Sequence, residues 1–178
     1  MEGGKFILLT GDPRVGKTTI IQRVVALLDS DISGFYTLEI RKQGKRVGFK
    51  MVTVNGLERI LAHVDIESRH RVGRYKVDIS ALDFIVSESI EKPLRQNKMV
   101  FLIDEIGPME ILSNKFQATV RELLDRNVLL IGTIVKRKYP FADEIKVNPK
   151  VTLIHVTQGR QESAYHKMLD VLRERLLL

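Results

Sequence analysis

The sequence predicts an α/β fold in which a predominantly parallel sheet lies between two layers of helices. Apolar runs of strand length alternate with segments whose apolar residues recur at helical spacing, along most of the chain. Several of the runs are unbroken, which is typical of parallel strands that are buried on both faces. With 178 residues, of which 44% are hydrophobic, the chain is expected to form one domain over residues 1–178.

The first half of the chain is predicted to begin with a strand, a glycine-rich loop and a helix, and to continue into a hairpin. The apolar run at residues 5–10 predicts the strand, and apolar residues at helical spacing predict a helix over residues 17–29. Residues 34–40 and 46–54 are rich in strand formers and flank a polar turn that contains Gly44. They predict an inserted β-hairpin.

The middle of the chain carries weaker patterns. Residues 55–79 are basic and predict at most a strand at residues 75–79. Ser80 is a suitable N-cap for a following helix. Pro93 is expected to interrupt or end that helix, because proline lacks the amide hydrogen that a helix interior needs.

The second half of the chain again alternates strands with helices. Residues 99–103 form an unbroken apolar run, residues 128–135 fit a second buried strand, and a helix is expected between them over residues 116–124. Residues 136–150 are expected to form a polar connection. The last elements are a strand over residues 151–156 and a helix striped by Tyr165, Leu169, Leu172 and Leu176. In such a fold, ligands bind at the carboxyl ends of the strands.

The glycine-rich loop carries a phosphate-binding motif. Residues 11–18 are Gly-Asp-Pro-Arg-Val-Gly-Lys-Thr, a complete G-x-x-x-x-G-K-[ST] sequence between a predicted strand and a predicted helix. There, backbone amides and a helix N-terminus surround phosphates, Lys17 reaches the β- and γ-phosphates, and the Thr18 hydroxyl is a Mg²⁺ ligand. The residues predicted to bind nucleotide are Gly11, Asp12, Pro13, Arg14, Val15, Gly16, Lys17, Thr18 and Thr19.

Two adjacent acids form the second chemical element. The apolar run at residues 99–103 ends in Asp104 and Glu105, at the sheet edge where the phosphate loop is also predicted. Asp104 is expected to bind Mg²⁺ through its water shell, since Mg²⁺ keeps several waters and uses few carboxylates. Glu105 is then free to accept a proton from an attacking water, as a general base. Taken without the loop, the pair would equally fit a helix N-cap or an exposed turn.

Phosphoryl transfer also needs positive charge near the transferred group. Arg160, after the last predicted strand, is the strongest candidate for neutralising γ-phosphate charge or packing against the base. Thr133 lies at the end of a predicted strand. There it could contact the γ-phosphate or the attacking water, and it equally fits an ordinary strand position, because β-branched residues are common in strands. The other candidate cations are Arg14 in the loop and Lys136, Arg137 and Lys138 in the polar connection. Each of these cations also fits a solvated surface position.

The charge of the chain, +7 at pH 7, would suit a polyanionic partner. Only 6% of the residues are aromatic, whereas proteins that bind single-stranded nucleic acid interleave basic with stacking aromatic residues. The composition therefore disfavours nucleic acid as a partner, and nucleotide phosphates account for some of the charge. A thermophilic source would also fit the many charged residues and the absence of cysteine.

Composition excludes several other classes of site. Without cysteine there are no disulfides, thiolate ligands or thiol nucleophiles. No run approaches the roughly 20 apolar residues of a membrane span, so we expect a cytoplasmic protein without a membrane partner or a targeting segment. The histidines, His63, His70, His155 and His166, lack metal-ligand spacing, and His155 is expected to be packed within its strand.

Three stretches together resemble a known family. They are the loop at residues 11–18, the hairpin with Gly34-Phe-Tyr-Thr and Arg46-Val-Gly-Phe, and the segment Asp104-Glu-Ile-Gly-Pro-Met-Glu110. They resemble the thermostable nucleoside-triphosphatase family, which has bacterial, archaeal and human cancer-related members. The resemblance implies slow, Mg²⁺-dependent hydrolysis of ATP, GTP and other nucleoside triphosphates, with broad base tolerance. It also implies a RecA-like P-loop sheet in which another strand separates the loop strand from the acidic strand. Pro108 departs from the lysine common in that family.

Three functions are consistent with these residues. The first is a Mg²⁺-dependent nucleoside-triphosphate phosphohydrolase with Lys17 and Glu105 as catalytic residues and Thr18 and Asp104 as metal ligands. The second is a small-molecule kinase, whose acceptor site residues 55–79 could supply. The third is a nucleotide-dependent switch or RNA-associated module, in which turnover times a conformational change. The protein is expected to act as a monomer, although its sequence does not decide between a monomer and an assembly.

Overall fold

A single sheet carries the functional loops. The computed structural model describes residues 6–28 and 31–176. The strands of this part of the chain are β1 (Phe6–Thr10), β2 (Ile32–Lys42), β3 (Lys45–Thr53), β4 (Glu58–His63), β5 (Arg71–Val72), β6 (Tyr75–Val77), β7 (Val100–Ile106), β8 (Leu129–Ile134) and β9 (Val151–His155). The α-helices are α1 (Lys17–Val25), α2 (Ile79–Val86), α3 (Lys92–Arg95), α4 (Asn114–Asp125), α5 (Pro140–Lys146) and α6 (Gln161–Leu176).

One half of the sheet is parallel. Its strand order is β2-β7-β8-β1-β9, and every neighbouring pair in it is parallel. β8 lies between β1, which leads into the phosphate loop, and β7, which carries the two acids. This is the separation that the resemblance implies. Because the strands are parallel, the residues that follow β1 and those that end β7 meet at the same edge.

The other half of the sheet is antiparallel and extends it beyond β2 in the order β3-β4-β6-β5. The predicted hairpin is confirmed as β2 and β3, and Gln43 and Gly44, both with positive φ, form its turn. The α/β class is confirmed as well. The sheet is mixed, however, and its antiparallel share is larger than the sequence predicted, because residues 55–79 add three short strands to the hairpin.

Helices cover both faces of the sheet, so the three-layer arrangement is confirmed. α1 and α6 pack on one face, where Val24, Met168 and Leu172 are buried against Ile7 and Leu9 of β1. The opposite face is covered by α2, α4 and α5. Its buried side chains include Phe35, Phe101, Phe116, Ile85 and Ile145.

Three helix predictions need correction. α1 ends at Val25, and residue 29, its predicted end, lies outside the described residues. The N-cap before α2 is Asp78 rather than Ser80, because the Asp78 carboxylate accepts a hydrogen bond from the amide of Ala81 (2.9 Å). Pro93 does not end the helical path. A π-helical segment, Ser87–Glu91, leads into α3, in which Pro93 lies in the first turn.

Two predictions in the C-terminal half are also wrong in part. Residues 136–150 are more than a polar connection, since α5 begins at Pro140 and buries Phe141, Ala142 and Ile145. Proline at the first helical position favours that start. His155 is exposed rather than packed, because it ends the edge strand β9.

The α-helices in the described part of the chain are 4 to 16 residues long. None of them, from α1 to α6, is both long enough and apolar enough to cross a bilayer.

Candidate active site

The loop between β1 and α1 surrounds the ammonium group of Lys17. Gly16, which precedes α1, has φ 100°, a left-handed conformation that glycine adopts without steric cost. Arg14 at the tip of the loop is also left-handed, with φ 64°. The Lys17 Nζ donates hydrogen bonds to the carbonyl oxygens of Gly11 (3.0 Å) and Asp12 (3.1 Å). The loop therefore holds a cation at its centre, next to the N-terminus of α1.

Contacts with neighbouring elements fix the loop. The Gln161 side chain of α6 donates to the carbonyl of Val15 (3.2 Å). Lys136 forms an ion pair with Asp12 (2.9 Å) at the surface. The backbone of Gly11 passes so close to the segment after β9 that an added Cβ would lie 2.3 Å from the Val156 carbonyl oxygen.

Asp104 lies near the end of β7 and is buried, with 4% of its surface exposed. Its Oδ1 accepts a hydrogen bond from the Thr133 hydroxyl of β8 (2.5 Å). Its Oδ2 is buried without a hydrogen-bond partner. Burial raises the pKa of Asp104, and the hydroxyls of Thr133 and Thr18 and the charge of Lys17 oppose that rise. A buried carboxylate oxygen without a partner is costly unless a cation compensates it.

Glu105 follows directly, across a cis peptide bond, and is half-buried at the same edge. Burial raises the pKa of Glu105, the charge of Lys17 opposes that shift, and the neighbouring Asp104 adds to it. A carboxyl group with a raised pKa is better matched to accepting a proton near neutral pH.

Glu110 is an acid to which sequence analysis gave no role. It lies in a short 3₁₀ turn, Glu110–Leu112, and is buried with 4% of its surface exposed. A Cβ added at Gly107 would lie 2.7 Å from the Glu105 Oε1 and 2.9 Å from the Glu110 Oε2, so the two carboxyl groups flank one glycine. Burial, reinforced by the charge of Glu105, raises the pKa of Glu110 to about 8.

This raised pKa predicts a pH-dependent stability. Between pH 4.5 and 8 the folded protein keeps a proton on Glu110 that the unfolded chain releases, so the free energy of unfolding falls as pH rises, by about 5 kcal/mol over the window. Glu110→Gln removes this loss, since glutamine resembles the protonated acid. We expect its advantage over wild type in urea unfolding to grow from pH 5 to pH 8. Parallel pH profiles for the two proteins would contradict a raised pKa at Glu110.

The loop and the acids line one cavity of about 690 Å³, which we call the central cavity. This volume is within the range of small-molecule sites. Its lining residues are Pro13, Arg14, Gly16, Lys17, Thr18, Thr19, Thr37, Glu39, Arg46, Phe49, Val72, Gly73, Tyr75, Asp104, Glu105, Pro108, Met109 and Glu110. The loop, the acids and the antiparallel half of the sheet thus share one space.

The other predicted residues lie at the margins of this site. The Thr133 hydroxyl donates to Asp104 and so orients that carboxylate, while its contact with a phosphate or attacking water stays a prediction. Lys136, Arg137 and Lys138 are exposed. Arg160 is exposed in the turn before α6, next to Gln161, which anchors the loop. A role for Arg160 at the γ-phosphate stays a prediction.

The antiparallel strands add residues that sequence analysis did not assign to the site. Arg46 of β3 donates to the Tyr75 hydroxyl (2.9 Å) and to Glu39 (2.8 Å). The ring of Phe49 packs edge-on against Tyr75, with centroids 5.1 Å apart. Arg46 and Phe49 are in the hairpin segment of the family resemblance, but their contact with Tyr75 depends on the path of the weakly patterned residues 55–79.

Comparisons with known proteins agree with this architecture. A family model described as NTPase matches residues 6–169. The nucleoside-triphosphatase THEP1 of Thermotoga petrophila is 42% identical over 167 residues, which cover 94% of this chain and 92% of that protein. The crystal structure of THEP1 from Aquifex aeolicus has a TM-score of 0.83 and 33% identity, and the match covers 94% of this chain and 98% of that one.

A human protein has the same fold. The solution structure of a human cancer-related nucleoside triphosphatase has a TM-score of 0.79 and 32% identity, and the match covers 95% of this chain and 97% of that one. An α/β sheet in which one strand leads into a phosphate loop and another delivers acids to the same edge is typical of P-loop nucleotide-binding proteins. Within that class, the chain belongs to the nucleoside-triphosphatase family that includes THEP1 and its human cancer-related relative.

Proposed function

We propose that this protein hydrolyses nucleoside triphosphates to diphosphate and phosphate with the help of Mg²⁺. The observation that carries the proposal is the shared cavity, in which Lys17 and Thr18 of the loop lie with Asp104 and Glu105 of β7. Membership of a family whose members are named nucleoside-triphosphatases supports it. A phosphate site and a carboxylate base at one place are what the reaction needs.

The residues at the site fit a magnesium ion. Asp104 has a buried Oδ2 without a partner, and the Thr18 hydroxyl and that carboxylate line the same cavity. Within residues 6–28 and 31–176, no group of three or more acids or histidines is placed to hold a metal. That is compatible with Mg²⁺, which is held by one or two carboxylates plus substrate phosphates and waters. When bound, the ion would neutralise charge on the phosphates.

The residues of the chain have separate roles in the proposed reaction. Lys17 and the loop amides hold the phosphates, and Thr133 keeps Asp104 oriented through its hydrogen bond. Glu105 takes a proton from a water molecule whose oxygen forms a bond with the γ-phosphorus. The bond between that phosphorus and the diphosphate breaks, and nucleoside diphosphate and phosphate leave. Positioning and charge supply most of the catalysis in such reactions.

We also propose broad base tolerance. The loop contacts phosphates, which all nucleoside triphosphates share, and the family resemblance implies the same tolerance. ATP, GTP, CTP and UTP are therefore expected to be hydrolysed with similar kcat/KM, and a strong preference for one base would contradict this. The monomeric state, the single domain and the cytoplasmic location stay predictions.

Replacing Asp104 tests the metal assignment. Asp104→Asn removes the buried charge but keeps the shape, so we expect the Mg²⁺ concentration for half-maximal turnover to rise about tenfold or more. The measurement is phosphate release as Mg²⁺ is titrated at fixed ATP.

The matched control is Asp143→Asn. Asp143 lies on α5 and forms an ion pair with Lys146 at the surface. Its Mg²⁺ requirement should equal that of wild type. An unchanged requirement in Asp104→Asn would overturn the assignment of Asp104 as a metal ligand.

A further inference from the structure

A cluster of arginines lies beside the central cavity, on the strands of the hairpin and the turn before Tyr75. We call Arg41, Arg46 and Arg74, together with Glu39 and Tyr75, the arginine cluster. Glu39 accepts from Arg46 through Oε1 (2.8 Å) and from Arg41 through Oε2 (2.9 Å). Arg74 donates to the carbonyl of Arg46. The arginine cluster contains three guanidinium groups and one carboxylate, so its net charge is positive.

The arginine cluster is held in place by its own contacts. The Arg46 guanidinium lies 5.6 Å from the centre of the Tyr75 ring, and that of Arg74 lies 5.2 Å from it. Arg46 also donates to the Tyr75 hydroxyl, and this hydrogen bond lowers the pKa of Tyr75. Cations fixed in this way are ready for an anion, because little side-chain freedom is lost on binding.

A second cavity, of about 420 Å³, opens on the arginine cluster. Its lining residues are Arg14, Arg41, Lys45, Arg46, Arg74 and Tyr75. Arg14, Arg46 and Tyr75 also line the central cavity, so the two spaces adjoin. Five cations around one space favour a ligand with an anionic group.

The order of the strands places the acids between the phosphate loop and the arginine cluster. From the loop after β1, the sheet passes through β8 to Asp104 and Glu105 on β7, then to Glu39 on β2 and Arg46 on β3. In an in-line transfer, the attacking oxygen approaches from the side opposite the leaving diphosphate. Glu105, the proposed base, lines the same cavity as Arg46 and Tyr75 of the antiparallel half of the sheet.

In the proposed reaction, the central cavity of about 690 Å³ has to hold the triphosphate as well as the attacking group. Beyond Glu105 its wall includes apolar surface from Phe49, Val72, Pro108 and Met109. Apolar walls with a few fixed polar groups are typical of sites for small organic ligands.

We propose that the antiparallel half of the sheet forms a binding site for a phosphoryl acceptor. The acceptor is a small phosphorylated alcohol with a flat, partly apolar ring. Its phosphate lies on the arginine cluster, its ring lies against Phe49 and Tyr75, and its free hydroxyl lies at Glu105. The inference rests on the proposed function, because it uses the same phosphate loop and base.

The transfer step balances without any further reactant. The acceptor oxygen forms a bond with the γ-phosphorus as the bond between that phosphorus and the nucleoside diphosphate breaks. The hydroxyl proton passes to Glu105. The products are nucleoside diphosphate and an acceptor with one more phosphoryl group, and hydrolysis is the same step with water in place of the alcohol.

The test follows the γ-phosphoryl group. ATP labelled in the γ-phosphate is incubated with enzyme and Mg²⁺ in the presence of nucleoside 5′-monophosphates or riboflavin 5′-phosphate. Adenosine, the other nucleosides and riboflavin are the matched compounds without phosphate. Free phosphate and labelled acceptor are separated by chromatography, and their ratio is measured. This ratio does not depend on the fraction of enzyme that is folded.

We expect the labelled phosphoryl group to be transferred to at least one phosphorylated compound. The amount transferred should be about tenfold or more above that for the matched compound without phosphate, because only a phosphate group can form charge-assisted hydrogen bonds with the arginines. Arg46→Ala and Arg74→Ala should each lower the ratio of labelled acceptor to free phosphate about tenfold, and Arg46→Lys should restore it only in part. Arg173→Ala, which changes an arginine paired with Asp170 on α6, should keep the wild-type ratio.

Three other results would each contradict a different part of this account. Release of all label as free phosphate with every compound would overturn the acceptor site and leave the hydrolase intact. Equal transfer to phosphorylated and unphosphorylated compounds would overturn the role of the arginine cluster. The absence of both free phosphate and labelled acceptor would overturn the proposed function itself.

Discussion

Glu105→Gln is expected to lower the turnover of nucleoside triphosphates about 10²- to 10⁴-fold, the usual contribution of a general base. Glutamine keeps the shape of the side chain but cannot take the proton from water. Since Glu105 is not assigned to the phosphates or the metal, the affinity for triphosphate should change little. The measurement pairs single-turnover hydrolysis of ATP with equilibrium binding of a fluorescent ATP analogue.

Glu174→Gln is the matched control, because it makes the same change at an exposed position on α6. It should hydrolyse ATP at the wild-type rate. If Glu105→Gln also kept the wild-type rate, Glu105 would not be the base, and Glu110, on the other side of Gly107, would be the next carboxyl group to test.

Lys17→Ala is expected to weaken triphosphate binding about 10- to 100-fold, from the roughly 1.5–3 kcal/mol of a hydrogen bond to a charged group. The effect is large because the Lys17 ammonium lies at the centre of the loop, where the carbonyls of Gly11 and Asp12 hold it. Binding of the fluorescent analogue measures the loss directly. Turnover should fall with it, since Lys17 is proposed to reach the γ-phosphate.

The control for this substitution is Lys167→Ala, at an exposed position on α6. Its affinity for triphosphate should match wild type. The affinity for nucleoside diphosphate should be measured as well. Since Lys17 is proposed to contact both the β- and γ-phosphates, Lys17→Ala should weaken the binding of triphosphate more than that of diphosphate. Equal affinity of Lys17→Ala and wild type for triphosphate would contradict the assignment of residues 11–18 as the phosphate site.

The parts of the site that could be predicted from sequence are those in which a few consecutive residues fix the chemistry. The loop at residues 11–18 lies between β1 and α1 as its motif predicts, and its binding of phosphate stays a prediction. Asp104 could be placed because an apolar strand delivers it to the edge where ligands bind. Thr133 was found at the right strand end, but only the β7–β8 pairing shows that it binds Asp104.

The parts that could not be predicted depend on contacts between distant segments. Glu110 ends a segment that carries the family resemblance, but its burial beside Glu105 follows from the turn through Gly107, which the sequence pattern does not show. Tyr75 reaches Arg46 only because three short strands, β4 to β6, extend the hairpin. The predicted strand at residues 75–79 is confirmed as β6 over Tyr75–Val77, but the pairing of β6 with β4 and β5 could not be read from so short a run.

The central claim is Mg²⁺-dependent hydrolysis at the bond to the γ-phosphate. Its most direct test is to incubate the protein with ATP or GTP, with Mg²⁺ or with EDTA, and to separate the products by chromatography. The proposal predicts equal amounts of nucleoside diphosphate and phosphate with Mg²⁺, and neither product with EDTA. Nucleoside monophosphate with pyrophosphate as the products, or hydrolysis that EDTA leaves unchanged, would contradict it.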